Sequence, residues 1–117
     1  MVVDRSGIAT GFALENLQKR GEMFVGIGDA IYEGMVVGES SRPGEMVVNP
    51  TRAKELTNIR THDHDDAVRL TPPRRPTLET GIEWIAEDEL VEVTPLAIRL
   101  RKRYLTENER RHSHKNR

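Results

Sequence analysis

"NPTRAKELTNIRTHDHDDAVRL" occupies Asn49 to Leu70 of a 117-residue chain, and its reading sets what the rest of the fold can be. The stretches "EMVV" (45–48) before it and "AVRL" (67–70) at its end have strand character. What lies between them offers a core almost nothing. A structureless connection beyond ~12–15 residues is uncommon in a compact domain, and it is usually functional or disordered. The remaining residues must therefore build a small scaffold that carries a long polar excursion.

Upstream of that excursion, "SGIATGFALENLQKRG" (6–21) predicts a first helix. Ile8, Ala9, Phe12, Ala13 and Leu17 recur at helical spacing and form one apolar stripe. Lys19 and Arg20 fall where the helix dipole favours cations, and Gly21 suits the left-handed position after the last turn. Short strand-like pieces follow, "MFVG", "AIY", "MVVG" and "MVV", each bounded by Gly, Pro, Ser or Asp. That punctuation is the pattern of a small antiparallel sheet or barrel.

Downstream, "TPPRRP" (71–76) breaks regular structure, because consecutive prolines bias the chain to extended forms. Thr77 is the expected N-cap of a second helix, "LETGIEWIAEDE", with Leu78, Ile82 and Ile85 as its apolar stripe and Trp84 at the border. Glu87, Asp88 and Glu89 then stand in its last turn, the wrong sign for a helix C-terminus, unless a cation elsewhere pairs with them. "LVEV" and "AIRLRKRYL" read as strands about a Thr94–Pro95 turn, and residues 106–117 read as a charged, disordered tail. The expected fold is α+β: a small antiparallel, partly closed β-barrel-like sheet with two packed helices and a long protruding polar loop at about 48–67. Residues 1–105 form the domain.

Composition narrows the function classes. Hydrophobic residues make up 36% of the chain and aromatics 4%, while charged residues reach 32%. The formal net charge of -1 hides segregation. From Glu79 to Glu92 there are six acidic residues and no basic one; from Pro95 to Arg117 eight Lys/Arg face only Glu107 and Glu109. A basic end on a near-neutral chain points to a polyanionic partner. The absence of cysteine removes disulfides, thiolate metal sites and Cys nucleophiles. No apolar run approaches the length of a membrane span, and "MVVDRSG" has no signal-peptide pattern. The expectation is a soluble, cytoplasmic, monomeric domain without membrane contact.

Several motifs carry competing readings. "GIGDAIYEG" lacks the third glycine of a dinucleotide fingerprint, with Ile31 in its place, and no GK[ST] occurs. Gly26, Gly28, Gly34 and Gly38 are expected at turns or bulges. In "THDHDD", His62, Asp63, His64, Asp65 and Asp66 offer metal ligands, but the spacing matches no zinc motif and a solvated loop tip accounts for it, so no metal site is assigned. Nucleophilic catalysis lacks a Cys and a placed base, so no catalytic residue is assigned and the chain is not expected to be an enzyme. In "AIRLRKRYL", strand alternation puts Arg99, Arg101 and Arg103 on one face, with Ile98, Leu100 and Tyr104 on the other. That row either tracks a sugar-phosphate backbone through guanidinium contacts or protects an edge strand from aggregation. In the excursion, Asn49 and Pro50 suit the start of a helical turn. Arg52, Lys54 and Arg60 are its cations, and Thr57 and Asn58 can bond a phosphate, a ribose hydroxyl or a base edge, or else cap local backbone.

With "KELTNIR", "DDAVRLTPPRR", "LVEVTP" and "IRLRKRYL" in that order, the chain resembles the C-terminal domain of the TypA/BipA family, ribosome-binding translational GTPases related to elongation factor G. "ATGFALENLQKRGEMFVGIGDAIYEGMVVGESSRPGEMVVN" matches the start of that domain, and "TLETGIEWIAEDELVEVTPLAIRLRKRYL" matches its end. The resemblance implies that GTP and Mg²⁺ belong to an N-terminal domain absent from this chain, which itself needs no cofactor. It further implies docking in the ribosomal A site, on large-subunit RNA and the acceptor arm of the tRNA, with the loop from about Val48 to Ala67 reaching toward the peptidyl-transferase region. Lys54, Thr57, Asn58 and Arg60 occupy the matching KxLTNxR pattern. Glu55 stands where a second lysine is common, and "THDHDD" replaces a smaller Ser/Gly/Ala-rich stretch, so no contact carries over to His62 and His64. The family is linked to ribosome assembly and to growth under cold and other stresses. The rival expectation is a protein-interaction module, in which the acidic 79–92 segment docks on a basic partner or on another domain of the parent protein.

Overall fold

Val2 and Val3, two β-branched residues left 2% and 0% exposed, make the strand about which the molecule packs. The computed structural model of the chain describes residues 1–53 and 70–115. In chain order its elements are β1 (Val2–Val3), β2 (Gly7–Ile8), α1 (Gly11–Leu17), β3 (Gly21–Met23), β4 (Ala30–Ile31), β5 (Met35–Val36), β6 (Gly38–Ser40) and β7 (Val47–Val48). After the excursion come α2 (Leu78–Trp84), β8 (Glu89–Val93), β9 (Ile98–Lys102) and α3 (Glu107–Lys115). The class is α+β, as expected.

The sheet is open, which corrects the barrel-like expectation. Five strands run in the order β7-β1-β5-β9-β8, and β2–β4 and β3–β6 form two further pairs. Nor is the main sheet wholly antiparallel, since β1 and β7 pair parallel. The cause is local: the chain bends at Val37, whose N–H donates to the Met1 carbonyl (3.0 Å) and whose carbonyl accepts from Phe24 N–H (2.7 Å). One stretch, 35–40, thus leaves the main sheet and joins β3. Strands of two or three residues cannot supply the long tilted staves that closure needs.

Alternation along β1 sends its two valines to opposite cores. Val3 joins Leu14, Leu17, Met23, Ile31, Met35, Val37 and Val48 under α1. Val2 joins Phe24, Val36 and Leu100, with Trp84, Ile85 and Val91 packed against them under α2. Each such fully buried aliphatic contributes about 1.5–3 kcal/mol relative to exposure. This burial holds α1 and α2, because two-turn helices are marginal alone.

Both helices are shorter than expected and face differently. Thr10 Oγ1 accepts from Ala13 N–H and starts α1, so Ile8 is spent in β2 and is 54% exposed. The buried stripe is Ala13, Leu14 and Leu17. Gly21 is no helix cap: it sits in β3 opposite Ser40, where a Cβ would strike the Glu39 carbonyl oxygen. Thr77 does cap α2, in a reciprocal box with Thr80, but the helix ends at Trp84 because Ile85 is extended. Leu78 and Ile82 point outward at 50% and 59% exposure. Gly81 lies against Leu100 and Val91 instead. The expected frayed tail is helical over Glu107–Lys115. Thr106 Oγ1 accepts from Glu109 N–H (3.1 Å) and Glu109 Oε1 accepts from Thr106 N–H (3.3 Å), a capping box. Buried Arg110 then donates to the carbonyls of Tyr104 (3.0 Å) and Leu105 (2.6 Å).

Candidate nucleic-acid interface

Both feet of the polar excursion are tied to α1. At the first foot Pro50 is fully buried, and Asn49 Oδ1 accepts from Thr51 N–H (3.0 Å), an Asx turn at the position expected to cap. The Pro50 carbonyl accepts from Thr10 N–H (2.9 Å), and Thr10 Oγ1 donates to the Arg52 carbonyl (2.6 Å). At the second foot Thr71 N–H donates to Gln18 Oε1 (2.9 Å). Thr10 is the N-cap of α1 and Gln18 its C-cap. At ~1.5 Å per residue the two anchors stand about 12 Å apart along the helix. Lys54, Thr57, Asn58 and Arg60, and the His62–Asp66 stretch, lie outside the described residues.

Arg52 is exposed and has no carboxylate partner among the described residues. Most other cations are engaged. Arg5, Arg74, Arg75, Arg110 and Arg111 each pair with an acid. Arg74 also stacks over Trp84, 4.2 Å from the ring centroid, with Phe24 stacked on the same indole at 5.0 Å.

The expected arginine row is only partly assembled. Arg99 and Arg101 share a face of β9, but β9 is an interior strand between β5 and β8, so edge protection does not account for them. Across the register Glu92 faces Arg99, and its carboxylate lies 3.8 Å from Arg99 and 3.9 Å from Arg101. Tyr32 donates its hydroxyl to the same carboxylate (2.8 Å). Burial, and then the bond to anionic Glu92, raises the Tyr32 pKa and keeps the phenol neutral. Arg103 lies beyond the strand, 5.7 Å from the ring centroid of Tyr104.

The misplaced acids of the sequence find their cation in Lys102. Its ammonium, buried at 5% residue exposure, reaches Glu45 (2.9 Å), Asp88 (3.0 Å) and Glu89 (2.9 Å). Burial pulls its pKa down, but hydrogen bonds to Glu45, Glu89 and Asp88 outweigh that and raise it above the ordinary lysine value. Glu87 and Asp88 lie past the end of α2, in the turn into β8, and Glu89 opens that strand. Glu79, Glu83 and Glu87 remain exposed.

Nothing in the glycine-rich turn fits a nucleotide phosphate or its Mg²⁺. Gly26 N–H donates to Asp29 Oδ2 (2.9 Å), Gly28 N–H donates to the Ala9 carbonyl (2.9 Å), and Arg75 pairs with Asp29 (2.8 Å). The turn is closed on itself. Among the described residues no group of three or more His, Cys, Asp or Glu is arranged to hold a metal ion, and no helix is long and apolar enough to cross a membrane.

A groove beside the first foot was not legible. Phe12, Asn16, Lys19 and Arg20 of the α1 region line it with Val47 and Arg52. The signal was the "QKR" after the helix, whose cations are explained in sequence by the helix dipole alone.

The sequence profile of the TypA/BipA C-terminal domain matches residues 1–107. Among curated proteins, the large ribosomal subunit assembly factor BipA of Escherichia coli (strain K12) is 49% identical over 115 residues, and that of Salmonella typhimurium is 47% identical over 115. Each alignment covers 98% of this chain. The factor of the same name from Buchnera aphidicola subsp. Schizaphis graminum is 45% identical over all 117 residues. The chain spans 19% of the length of each of these relatives.

Proposed function

This chain belongs to the TypA/BipA C-terminal domain family, and on that premise we propose that it is the RNA-contacting domain of a ribosome-associated translational GTPase that acts in assembly of the large ribosomal subunit. The name of its relatives supports the subunit. The observation that carries the RNA reading is the anchoring of the polar excursion. Both feet are hydrogen-bonded to the two caps of α1, and Arg52, at one of them, has no carboxylate partner among the described residues. Binding residues fall disproportionately on connecting segments positioned by a rigid scaffold, and this scaffold anchors both ends of a long polar one. Arg52, Lys54, Thr57, Asn58 and Arg60 are the proposed contacts with large-subunit RNA and the acceptor arm of an A-site tRNA. Arg99, Arg101 and Arg103 rank behind them, since an incoming phosphate must compete with Glu92 for the first two. GTP and Mg²⁺ are assigned to the parent protein outside this chain, and its place of action is the cytoplasm.

Binding of the chain to purified large subunits, measured across a salt series, tests this. Replacing Arg52, Lys54 and Arg60 together with alanine should weaken binding and lower the salt slope by about 2–3, from ~0.7–0.9 per released phosphate contact. An unchanged slope removes the loop from the interface.

A second reading draws on α2, whose outer face sets exposed Leu78 and Ile82 beside Glu79 and Glu83. An apolar-acidic face suits docking on a basic surface of the parent protein. Charge reversal at Glu83 and Glu87 should leave RNA binding intact and abolish such docking.

A further inference from the structure

We propose that the groove between α1 and β7 is a second RNA-binding surface, which takes a single strand of large-subunit ribosomal RNA with its phosphates against Lys19, Arg20 and Arg52. The inference rests on the ribosomal reading above and extends it from Arg52 to Lys19 and Arg20, which the sequence motifs do not mark. Three observations carry it.

The first is charge. Lys19, Arg20 and Arg52 line one groove whose lining, among the described residues, contains no Asp or Glu. None of the three has a carboxylate partner among the described residues, where most cations are paired. A helix C-terminus favours cations by ~0.3–1 kcal/mol, which explains Lys19 and Arg20 at most and leaves Arg52 unexplained. A phosphate entering here displaces no acid of the described residues.

The second is surface chemistry. Phe12 is half-buried on the groove wall, and Val47 on the edge strand β7 is 48% exposed. Together they give an apolar platform of the kind on which unpaired bases rest. Exposed Asn16 donates one amide N–H to the Phe12 carbonyl (3.3 Å). Its amide oxygen and second N–H remain for a ribose 2′-hydroxyl or a base edge. Cations flanking an apolar strip, with a short amide between, is the composition of a single-strand groove.

The third is rigidity. Leu17 and Val48, which also line the groove, are buried in the core, as is Leu14 of α1. Both groove walls are therefore fixed by the core, so little ordering entropy opposes binding.

The chain has no cysteine, so one placed cysteine carries a unique probe. Ser41 is exposed next to the groove, its N–H donating to the Arg20 carbonyl (2.8 Å). Glu83 is exposed on α2, on the other side of the sheet. Iron–EDTA tethered at Ser41→Cys, in chain bound to large subunits, should cut ribosomal RNA at positions that the same tether at Glu83→Cys does not reach. Alanine at both Lys19 and Arg20 should lower the salt slope of binding by about 1.5 without moving the melting temperature by more than a degree or two. Cleavage from Glu83→Cys alone, or cleavage of a ribosomal protein instead of RNA from Ser41→Cys, overturns the groove and leaves the loop reading standing. An unchanged slope in the double-alanine variant overturns it as well. Loss of large-subunit binding in the unmodified chain would overturn both readings together.

Discussion

Replacing Lys102 with methionine should cost about 2–3 kcal/mol, a large share of the ~5–15 kcal/mol that stabilises a domain of this size. The figure follows from what the ammonium leaves behind. Removing one partner of a buried ion pair costs ~3–5 kcal/mol, because the other charge stays buried without compensation. Here the remaining charges are three carboxylates. Glu89 keeps only 12% of its side-chain exposure, whereas Glu45 and Asp88 keep 38% and 34% and can rehydrate, which discounts their part. Urea unfolding at pH 7, followed by fluorescence of the one tryptophan, Trp84, measures the loss. Adding Glu89→Gln to Lys102→Met should recover roughly 1 kcal/mol or more, since it removes the least hydrated of the stranded charges. The pH dependence has a definite sign. The folded-state pKa of Lys102 is raised, so its contribution is fully present below the unfolded value of ~10.4 and fades as pH rises through the folded one. The gap between wild type and Lys102→Met should therefore be constant from neutral pH to about 10 and close above it. A loss under ~1 kcal/mol at pH 7, or no recovery in the double variant, would refute the account of Lys102 as the charge that holds these acids.

Two further outcomes test the scaffold around the candidate interface. Thr10→Val removes the N-cap of α1 and the donor to the Arg52 carbonyl at once; it should cost about 1–2 kcal/mol by urea midpoint, and Thr10→Ser should restore most of it. Asp29→Asn probes the glycine turn: burial raises the Asp29 pKa, but the Arg75 and Gly26 donors outweigh it and the net shift is downward. Its stabilisation, about 1 kcal/mol given the exposure of Arg75, should be present above pH ~4 and vanish as pH falls through the depressed folded pKa, so wild type and variant should converge only below the ordinary aspartate range in denaturant titrations.

What the sequence carried was local chemistry. Thr77 capped α2 and Asn49 capped its turn because a cap is decided within three or four residues. The turn at Thr94 was legible for the same reason: Thr94 Oγ1 and backbone close on Ala97. Distant contacts were not. Leu78 and Ile82 have perfect helical spacing yet face outward, because the sheet meets α2 at Gly81, where the missing side chain makes room for Leu100 and Val91. Periodicity finds a stripe; it cannot say that the close approach runs through a glycine beside it. Gly21 was misread as a cap for a related reason, since its requirement comes from Glu39 across a strand pair. The barrel expectation failed at one residue, Val37, where the chain changes sheets. The α3 box was local and visible, Thr106 with Glu109, but a highly charged terminal stretch outweighed it.

The same distinction governs the candidate interface. "RLRKR" looks like the most attractive polyanion site in the chain, yet register sets Glu92 opposite Arg99 and within reach of Arg101, and three acids close on Lys102. Density of basic residues in sequence is thus a poor guide to free positive charge. A phosphate arriving at β9 must displace Glu92, whose carboxylate also holds the Tyr32 hydroxyl. On the proposed reading, one arriving at Lys19, Arg20 or Arg52 displaces no acid among the described residues, and counterion release would favour it. Three of the four basics in that run, Arg99, Arg101 and Lys102, already face acids, and for that reason the proposed RNA contacts are placed first at Lys19, Arg20 and Arg52 and not on β9.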